Sequence, residues 1–264
     1  MVRLFHPAAA RARTLAPAAG ALRAGAARRL ELLRTPAPEE ARGPALQLLL
    51  GEVRHLWEPV RRQFDPPLGL APTRSPKVVI LLPGFATHPL RMRYMAQQLE
   101  GAGHTVKRWG LGWNLGPTVE NFAQMEARVR QVSARYGQPV VLVGWSLGGI
   151  FARELAKRHP ADVAKVITMG TPFSGSPYAN NAWRAYQLIT GHSVERPPIE
   201  AASAIKPPVE TVALWSPRDG IVSPRCARGL PGERDREVAL RCRHTGFANS
   251  PEAIRAVARE LERD

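Results

Sequence analysis

Val140-Val141-Leu142-Val143-Gly144-Trp145-Ser146-Leu147-Gly148-Gly149 is the stretch on which the reading of this chain turns. Four apolar residues in succession, Val140–Val143, have the length and character of a strand buried on both faces. The chain then turns through Gly-Trp-Ser-Leu-Gly, and a helical pattern runs from Leu147 to His159, stopping before Pro160. Ser146 is thus set at the apex of a strand–turn–helix. Glycines two places before and two places after it remove the side chains that would collide in so tight a turn. As a bare pattern G-x-S-x-G carries little weight, and the strand before it and the helix after it supply the weight. The bland alternative is a glycine-rich phosphate cradle, but the chain has no G-x-G-x-x-G or G-K-[ST].

Outward from this turn the chain alternates strand and helix. Lys77–Leu82 reads as a strand ending in Pro83-Gly84, and Leu90–Leu99 as a helix stopped at Gly101. His104–Trp109 reads as a strand, and Thr118 caps a helix to about Tyr136 that Gly137 ends. Val163–Met169, Val209–Trp215 and Glu237–Cys242 are further strands, and Pro251–Arg263 is a closing helix with Pro at its first turn. The expected fold is α/β, a mostly parallel central sheet of about six strands covered by helices. Pro172–Pro208 interrupts the alternation with a helix around Ala182–Ile189, and about 173–208 is expected to form a small cap over the strand C-termini. Residues 77–264 would form this domain. Residues 1–76 would form an N-terminal tail, a helix over Ala45–Gln63 and a Pro-rich linker. In that helix Leu46, Leu49, Leu50, Val53, Leu56, Trp57 and Val60 recur at helical spacing, so its apolar face should pack on something.

The chain has 264 residues, 44% apolar and 22% charged, enough to build a full core and ordinary for a globular protein. No apolar run is long enough to span a membrane. The net charge of +15 comes mostly from Arg scattered among Ala, Pro and Gly. No zinc spacing, recognition helix or aromatic-interleaved basic stripe accompanies it, so nucleic acid is not the expected partner. Weak attraction to acidic membrane surfaces or anionic substrates is what the charge leaves, a peripheral contact at most. The Arg-rich, acid-free first 30 residues lack the unbroken apolar core of an export signal, since Pro17, Gly20, Arg23 and Gly25 interrupt it. A cytoplasmic location is the default expectation, and Cys226 and Cys242 are then expected to be reduced, structural thiols, the alternative being a bridge between them that closes a loop of about 15 residues.

A serine hydroxyl needs a base to take its proton, and the imidazole needs an acid to hold its tautomer. Asp219, in Ser216-Pro217-Arg218-Asp219-Gly220, follows the strand Val209–Trp215, and His244 follows Glu237–Cys242. Both fall at strand C-termini, the edge where Ser146 sits and where open α/β sheets carry their chemistry. Asp162 precedes its strand, His159 ends the helix after Ser146, His192 lies in the insertion, and His88 is at most a rim residue. The oxyanion donors expected are the N–H groups of Leu147, next after the serine, and of Phe85, because Pro83 has none. Trp145, Trp183, Tyr186 and Phe247 are the candidates for a substrate pocket. No ligand cluster calls for a metal or cofactor.

Several further runs accompany these: Leu81-Leu82-Pro83-Gly84-Phe85, Gly110-Leu111-Gly112-Trp113-Asn114-Leu115-Gly116-Pro117, Gly170-Thr171-Pro172-Phe173, Asn180-Asn181-Ala182-Trp183, Asp219-Gly220-Ile221-Val222 and His244-Thr245-Gly246-Phe247. As an ordered set with the Ser146 turn, they resemble the α/β-hydrolase superfamily, in its lipase and esterase branch, and within it a bacterial group of lipase-like hydrolases. The resemblance covers about residues 77–264. It implies cleavage of a small-molecule or lipid carboxylic ester through an acyl-enzyme on Ser146. An acyltransferase or thioesterase would use the same three residues, and a non-catalytic hydrolase-like binding protein would need none of them. The Pro83-Gly84 of the first loop departs from the His-Gly of many lipases. The resemblance gives no chemistry to residues 1–70.

Overall fold

The computed structural model describes residues 23–53, 58–62, 65–199 and 201–263. Residues 1–22 of the expected N-terminal tail lie outside the described residues, as do residues 54–57 and 63 of the expected Ala45–Gln63 helix. On either side of 54–57 the chain is helical, over Leu46–Val53 (α2) and Glu58–Arg62 (α3), and an earlier helix, α1, covers 23–34.

Six strands form one sheet: β1 Val78–Leu82, β2 Thr105–Arg108, β3 Val140–Trp145, β4 Val163–Met169, β5 Glu210–Trp215 and β6 Arg236–Ala239. Their order is β2-β1-β3-β4-β5-β6 and every pairing is parallel. Each strand therefore delivers its C-terminus to the same edge. β6 ends at Ala239, three residues before the expected Cys242, so His244 is carried by a loop rather than by the strand end itself.

The helices are α4 Arg93–Gly101, α5 Val119–Tyr136, α6 Leu147–Arg158, α7 Trp183–Thr190, α8 Pro224–Arg228 and α9 Pro251–Leu261. The expected Leu90–Leu99 helix is split, a 3-10 turn over Pro89–Met92 preceding α4. Thr118 caps α5 as expected: its hydroxyl accepts from the Asn121 N–H, and the Asn121 side chain accepts in return from the Thr118 N–H.

Side chains alternate across the sheet, so two cores form. Val79, Leu81, Val141, Val143 and Trp145 face one layer with Met95 and Leu99 of α4 and Ile254 and Val257 of α9. Val78, Ile80, Leu82, Val140 and Leu142 face the other, with Phe122, Met125 and Val129 of α5 and Phe151 and Leu155 of α6. Burial on both faces explains why β1 and β3 read as unbroken apolar runs. Among the described residues no helix is long and apolar enough to cross a membrane.

The N-terminal helices depart from expectation. Leu46, Leu50 and Val53, the expected packing face of α2, are exposed, and the buried residue of that helix is Glu52, 3% accessible. The reason is a set of polar donors on the loops beneath it, described below. α1 is also tied down by polar contacts, since the Gln187 amide of α7 donates to the Leu32 carbonyl at 2.7 Å and the Arg29 guanidinium to that of Leu188 at 3.0 Å.

Candidate active site

Ser146 joins β3 to α6 with φ 54° and ψ −121°, one of two non-glycine residues with positive φ among those described. So strained a geometry is held from both sides. Its N–H donates to the Met169 carbonyl at 2.8 Å, and its own carbonyl accepts from Gly149 N–H at 3.0 Å. The seryl side chain opens into a cavity of about 390 Å³.

Asp219 and His244 meet. The Nδ1–H of His244 donates to Oδ2 of Asp219 at 2.8 Å, with Asp219 fully buried and His244 3% accessible. The other carboxylate oxygen accepts from the N–H groups of Ile221 and Val222, both at 2.8 Å, which fixes the orientation of the acid. With Nδ1 engaged, Nε2 is the nitrogen left for a seryl proton. Trp145, next to Ser146, ties the imidazole's backbone to the elbow through its indole N–H, which donates to the His244 carbonyl at 3.0 Å. The Ser146 hydroxyl is not hydrogen-bonded to the imidazole in this structure; such bonds commonly tighten only around substrate. Burial pulls the His244 pKa down, but the charge and hydrogen bond of Asp219, with the charge of Glu52, outweigh burial and the opposing Arg91, and leave it raised.

The loop after β1 brings Phe85 to the cavity beside Leu147. Among the described residues neither the Phe85 nor the Leu147 N–H donates to a backbone or side-chain acceptor, as a donor reserved for an oxyanion requires. Asn114 sets this loop. Fully buried, it donates from Nδ2 to the Pro83 carbonyl at 2.7 Å and accepts at Oδ1 from Gly116 N–H at 3.2 Å. Its backbone carbonyl accepts from Ala86 N–H at 2.7 Å, and its N–H donates to Thr87 at 3.0 Å. Asn114→Ala leaves the Pro83 carbonyl buried and unpaired. It is expected to lower stability by about 1–3 kcal/mol and kcat for an ester about tenfold through the displaced Phe85 N–H. Thermal unfolding and initial rates check the two effects separately.

The cavity is largely apolar, lined by Phe85, Leu147, Ile150, Phe151, Trp183 and Tyr186 among others. Of the four expected pocket residues, Trp183 and Tyr186 line it, both from α7. Trp145 and Phe247 do not. They stand around the imidazole, with ring centroids 5.9 and 6.3 Å from that of His244. Burial pushes the Tyr186 phenol up to about 12. The wall formed by Ser203, Ala204 and Ile205 is held by Arg153 of α6, whose Nε donates to the Ser203 carbonyl at 2.7 Å while its guanidinium stacks on Phe173. Burial pushes that guanidinium down to about 10.

His88, His159 and His192 stand apart from the Asp219–His244 pair. His88 caps the turn at Leu90, and His159 pairs with Glu126 at 3.4 Å. Cys226 and Cys242 are both free and buried, and burial pushes both thiols up, away from reactivity. Among the described residues no group of three or more His, Cys, Asp or Glu side chains is placed to hold a metal ion.

Two residues at this site have no counterpart in the sequence reading. Asn114 stood within a noted run but with no role. Glu52 accepts from the backbone N–H groups of Gly220, His244 and Thr245, next to or within the Asp219–His244 pair. The only trace in the sequence was an acid inside the apolar run Leu48-Leu49-Leu50-Gly51-Glu52-Val53.

Known proteins share sequence or fold with this chain. Over 83 residues, 31% of this chain and 28% of the relative, the chain is 36% identical to the pimeloyl-(acyl-carrier protein) methyl ester esterase of Aromatoleum aromaticum. The alignment therefore spans under a third of that curated relative's length. Among solved structures, the Bacillus licheniformis lipase BlEst2 in its propeptide form is similar with a TM-score of 0.57 at 18% identity, covering 76% of this chain and 55% of that one. The monoacylglycerol lipase of Paleococcus ferrophilus is similar with a TM-score of 0.52 at 18% identity, covering 73% of this chain and 95% of that one. Residues 77–188 match the family model of the alpha/beta hydrolase fold, from β1 through the Ser146 turn to α7. That match, on an all-parallel six-stranded sheet flanked by helices, gives the chain the alpha/beta hydrolase fold.

Proposed function

We propose that the chain is a serine hydrolase that cleaves carboxylic esters through an acyl-enzyme on Ser146. The observation that carries this is the buried 2.8 Å contact from His244 Nδ1–H to Asp219, together with a strained Ser146 that opens into an apolar cavity. Asp219 fixes the imidazole tautomer, so Nε2 accepts the proton as Ser146 Oγ attacks the acyl carbonyl. The Phe85 and Leu147 N–H groups receive the developing oxyanion. The imidazolium then gives its proton to the departing alkoxide. A water, deprotonated by His244, attacks the acyl-enzyme and releases the acid, restoring Ser146.

The esterase relative supports ester cleavage, and the apolar cavity supports an apolar acyl group. In this reading the segment between β4 and β5, about 173–208, acts as a cap whose Trp183 and Tyr186 shape the acyl site, and residues 1–76 are an N-terminal extension to the 77–264 domain.

A fluorophosphonate probe tests the class. It should label the folded wild type at Ser146, and Ser146→Ala should abolish labelling. A p-nitrophenyl ester series of increasing acyl length, run with and without alcohol acceptors, then reads the acyl preference and separates hydrolysis from acyl transfer. A folded wild type that neither labels nor turns over any ester of the series would defeat the proposal.

A further inference from the structure

We infer that Glu52 is a positioning residue for this reaction: from helix α2 its carboxylate bridges the loop that carries Asp219 and the loop that carries His244, and so holds acid and base in register. The inference rests on the hydrolase reading above. It concerns a residue outside 77–188, the stretch the family model matches.

The bridge is made by one side chain. Oε1 accepts from Gly220 N–H at 3.0 Å and from His244 N–H at 2.8 Å. Oε2 accepts from Thr245 N–H at 3.0 Å and from the Thr245 hydroxyl at 2.8 Å. Gly220 directly follows Asp219, so a single oxygen joins the residue after the acid to the base itself. These loops leave different strands, β5 and β6, and the ladder between those strands ends at Trp215 and Ala239, short of both loops. Buried carboxylates are unfavourable unless their lone pairs are met. Here four donors meet two oxygens, three of them backbone N–H groups that can only donate. An amide at this place would set an N–H against the donors of one side, so the site selects a carboxylate over its isostere.

The surrounding chain is built to let α2 approach. A Cβ at Gly220 would meet the Leu49 N at 2.8 Å, and one at Gly51 would run into the Arg243 guanidinium. Arg243 Nη1 donates to the Leu48 carbonyl at 3.3 Å, and Asn181 Nδ2 donates both to Pro44 at 3.1 Å and to Gly220 at 2.8 Å. α2 is thus seated by polar contacts, which accounts for Leu46, Leu50 and Val53 facing outward.

The charge acts as well as the hydrogen bonds. The charged groups that bear on the imidazole are Asp219 after β5, Glu52 on α2 and Arg91 in the Pro89–Met92 turn, the two acids favouring the imidazolium and Arg91 opposing it. Imidazolium is the form His244 takes as Ser146 attacks, so Glu52 supports it in the transition state as well as placing it.

Glu52→Gln tests this in the full-length protein. It should lower kcat about ten- to a hundredfold, the scale of a small misplacement of catalytic groups, with KM changed less than about threefold. Removing a charge near the imidazole should also lower the His244 titration midpoint, followed by NMR and assigned by its loss in His244→Gln, by about half a pH unit or more. A role confined to packing would slow turnover without moving that midpoint. Leu50→Ala, on the exposed face of α2, should leave both unchanged. A folded Glu52→Gln with kcat within twofold of wild type, or with the midpoint unmoved, overturns the inference. If Glu52→Gln does not fold, Thr245→Val removes one of the four hydrogen bonds and keeps the charge. It should lower kcat about three- to tenfold, and no change there overturns the inference equally. Because the titration needs no substrate, a wild type that neither labels nor turns over, but whose midpoint still falls in Glu52→Gln, defeats the hydrolase reading while supporting the Glu52 bridge.

Discussion

Asp219→Asn is expected to lower kcat about 10⁴-fold with the fold intact, the scale known for this change where Asp orients a catalytic imidazole. The size of the loss follows from how Asp219 is held. Its Oδ1 accepts from the N–H groups of Ile221 and Val222 at 2.8 Å each. An asparagine must keep its carbonyl oxygen there, because turning the amide would oppose N–H to N–H. Its amino group is then forced toward His244 Nδ1, where Oδ2 of the aspartate now accepts at 2.8 Å. The imidazole must present a lone pair at Nδ1 and carry its proton on Nε2, the tautomer that cannot take the proton of Ser146. The two backbone bonds and the bulk of the side chain survive, so the thermal midpoint should move little.

A second signature separates tautomer from simple weakening. Asp219 raises the His244 pKa through its charge and its hydrogen bond, against the lowering by burial. In Asp219→Asn the imidazole should therefore titrate lower than in wild type, and the acid limb of kcat/KM should move to lower pH. Since protonated His244 is inactive, activity in wild type should rise with pH through its raised pKa. Activity of Asp219→Asn within tenfold of wild type would remove Asp219 from the proposed mechanism.

The sheet was legible because parallel strands are buried on both faces, so that Val78–Leu82 and Val140–Val143 had to be continuous apolar runs. The site was legible for a related reason. In a parallel sheet every strand end arrives at one edge, and there β3 leads into Ser146 while β5 and β6 lead into the loops whose Asp219 and His244 are hydrogen-bonded. Helix α2 was misread because local periodicity assumes that a helix buries its apolar side. The spacing of Leu46, Leu49, Leu50 and Val53 pointed that side inward, whereas the donors that seat the helix come from Gly220 and His244, 168 and 192 residues away. No window along the chain contains that information. Trp145 and Phe247 were placed in the pocket for the same lack. As aromatic neighbours of Ser146 and His244 they could have stood in the cavity or against the imidazole, and packing set them against the imidazole.

Gly148→Ala is expected to remove activity by 10³-fold or more and to destabilise the protein by about 3 kcal/mol or more, the scale of forced overpacking at a site that cannot relax. A Cβ at 148 would overlap the carbonyl of Leu82, with its carbon at 2.7 Å, and would meet the Pro83 oxygen, also at 2.7 Å. Both obstacles are backbone, and both belong to the end of β1 and the start of the loop that presents Phe85. Leu82 is held in the ladder opposite Gly144, and the Pro83 oxygen accepts from Asn114, so neither moves alone. The clash can be relieved only by parting the Ser146 turn from the Phe85 loop, which widens the gap between the two proposed oxyanion donors. Gly137→Ala makes the contrasting control. Gly137 caps α5 with φ 63° and nothing lies within 4 Å of a Cβ there. Its substitution should cost about 1 kcal/mol of backbone strain and leave turnover unchanged. Two glycine-to-alanine changes would then differ by orders of magnitude in rate, one resisted by left-handed backbone alone and the other by the meeting of two loops. A Gly148→Ala protein that turns over esters at the wild-type rate would show that these loops need not touch for the reaction to proceed.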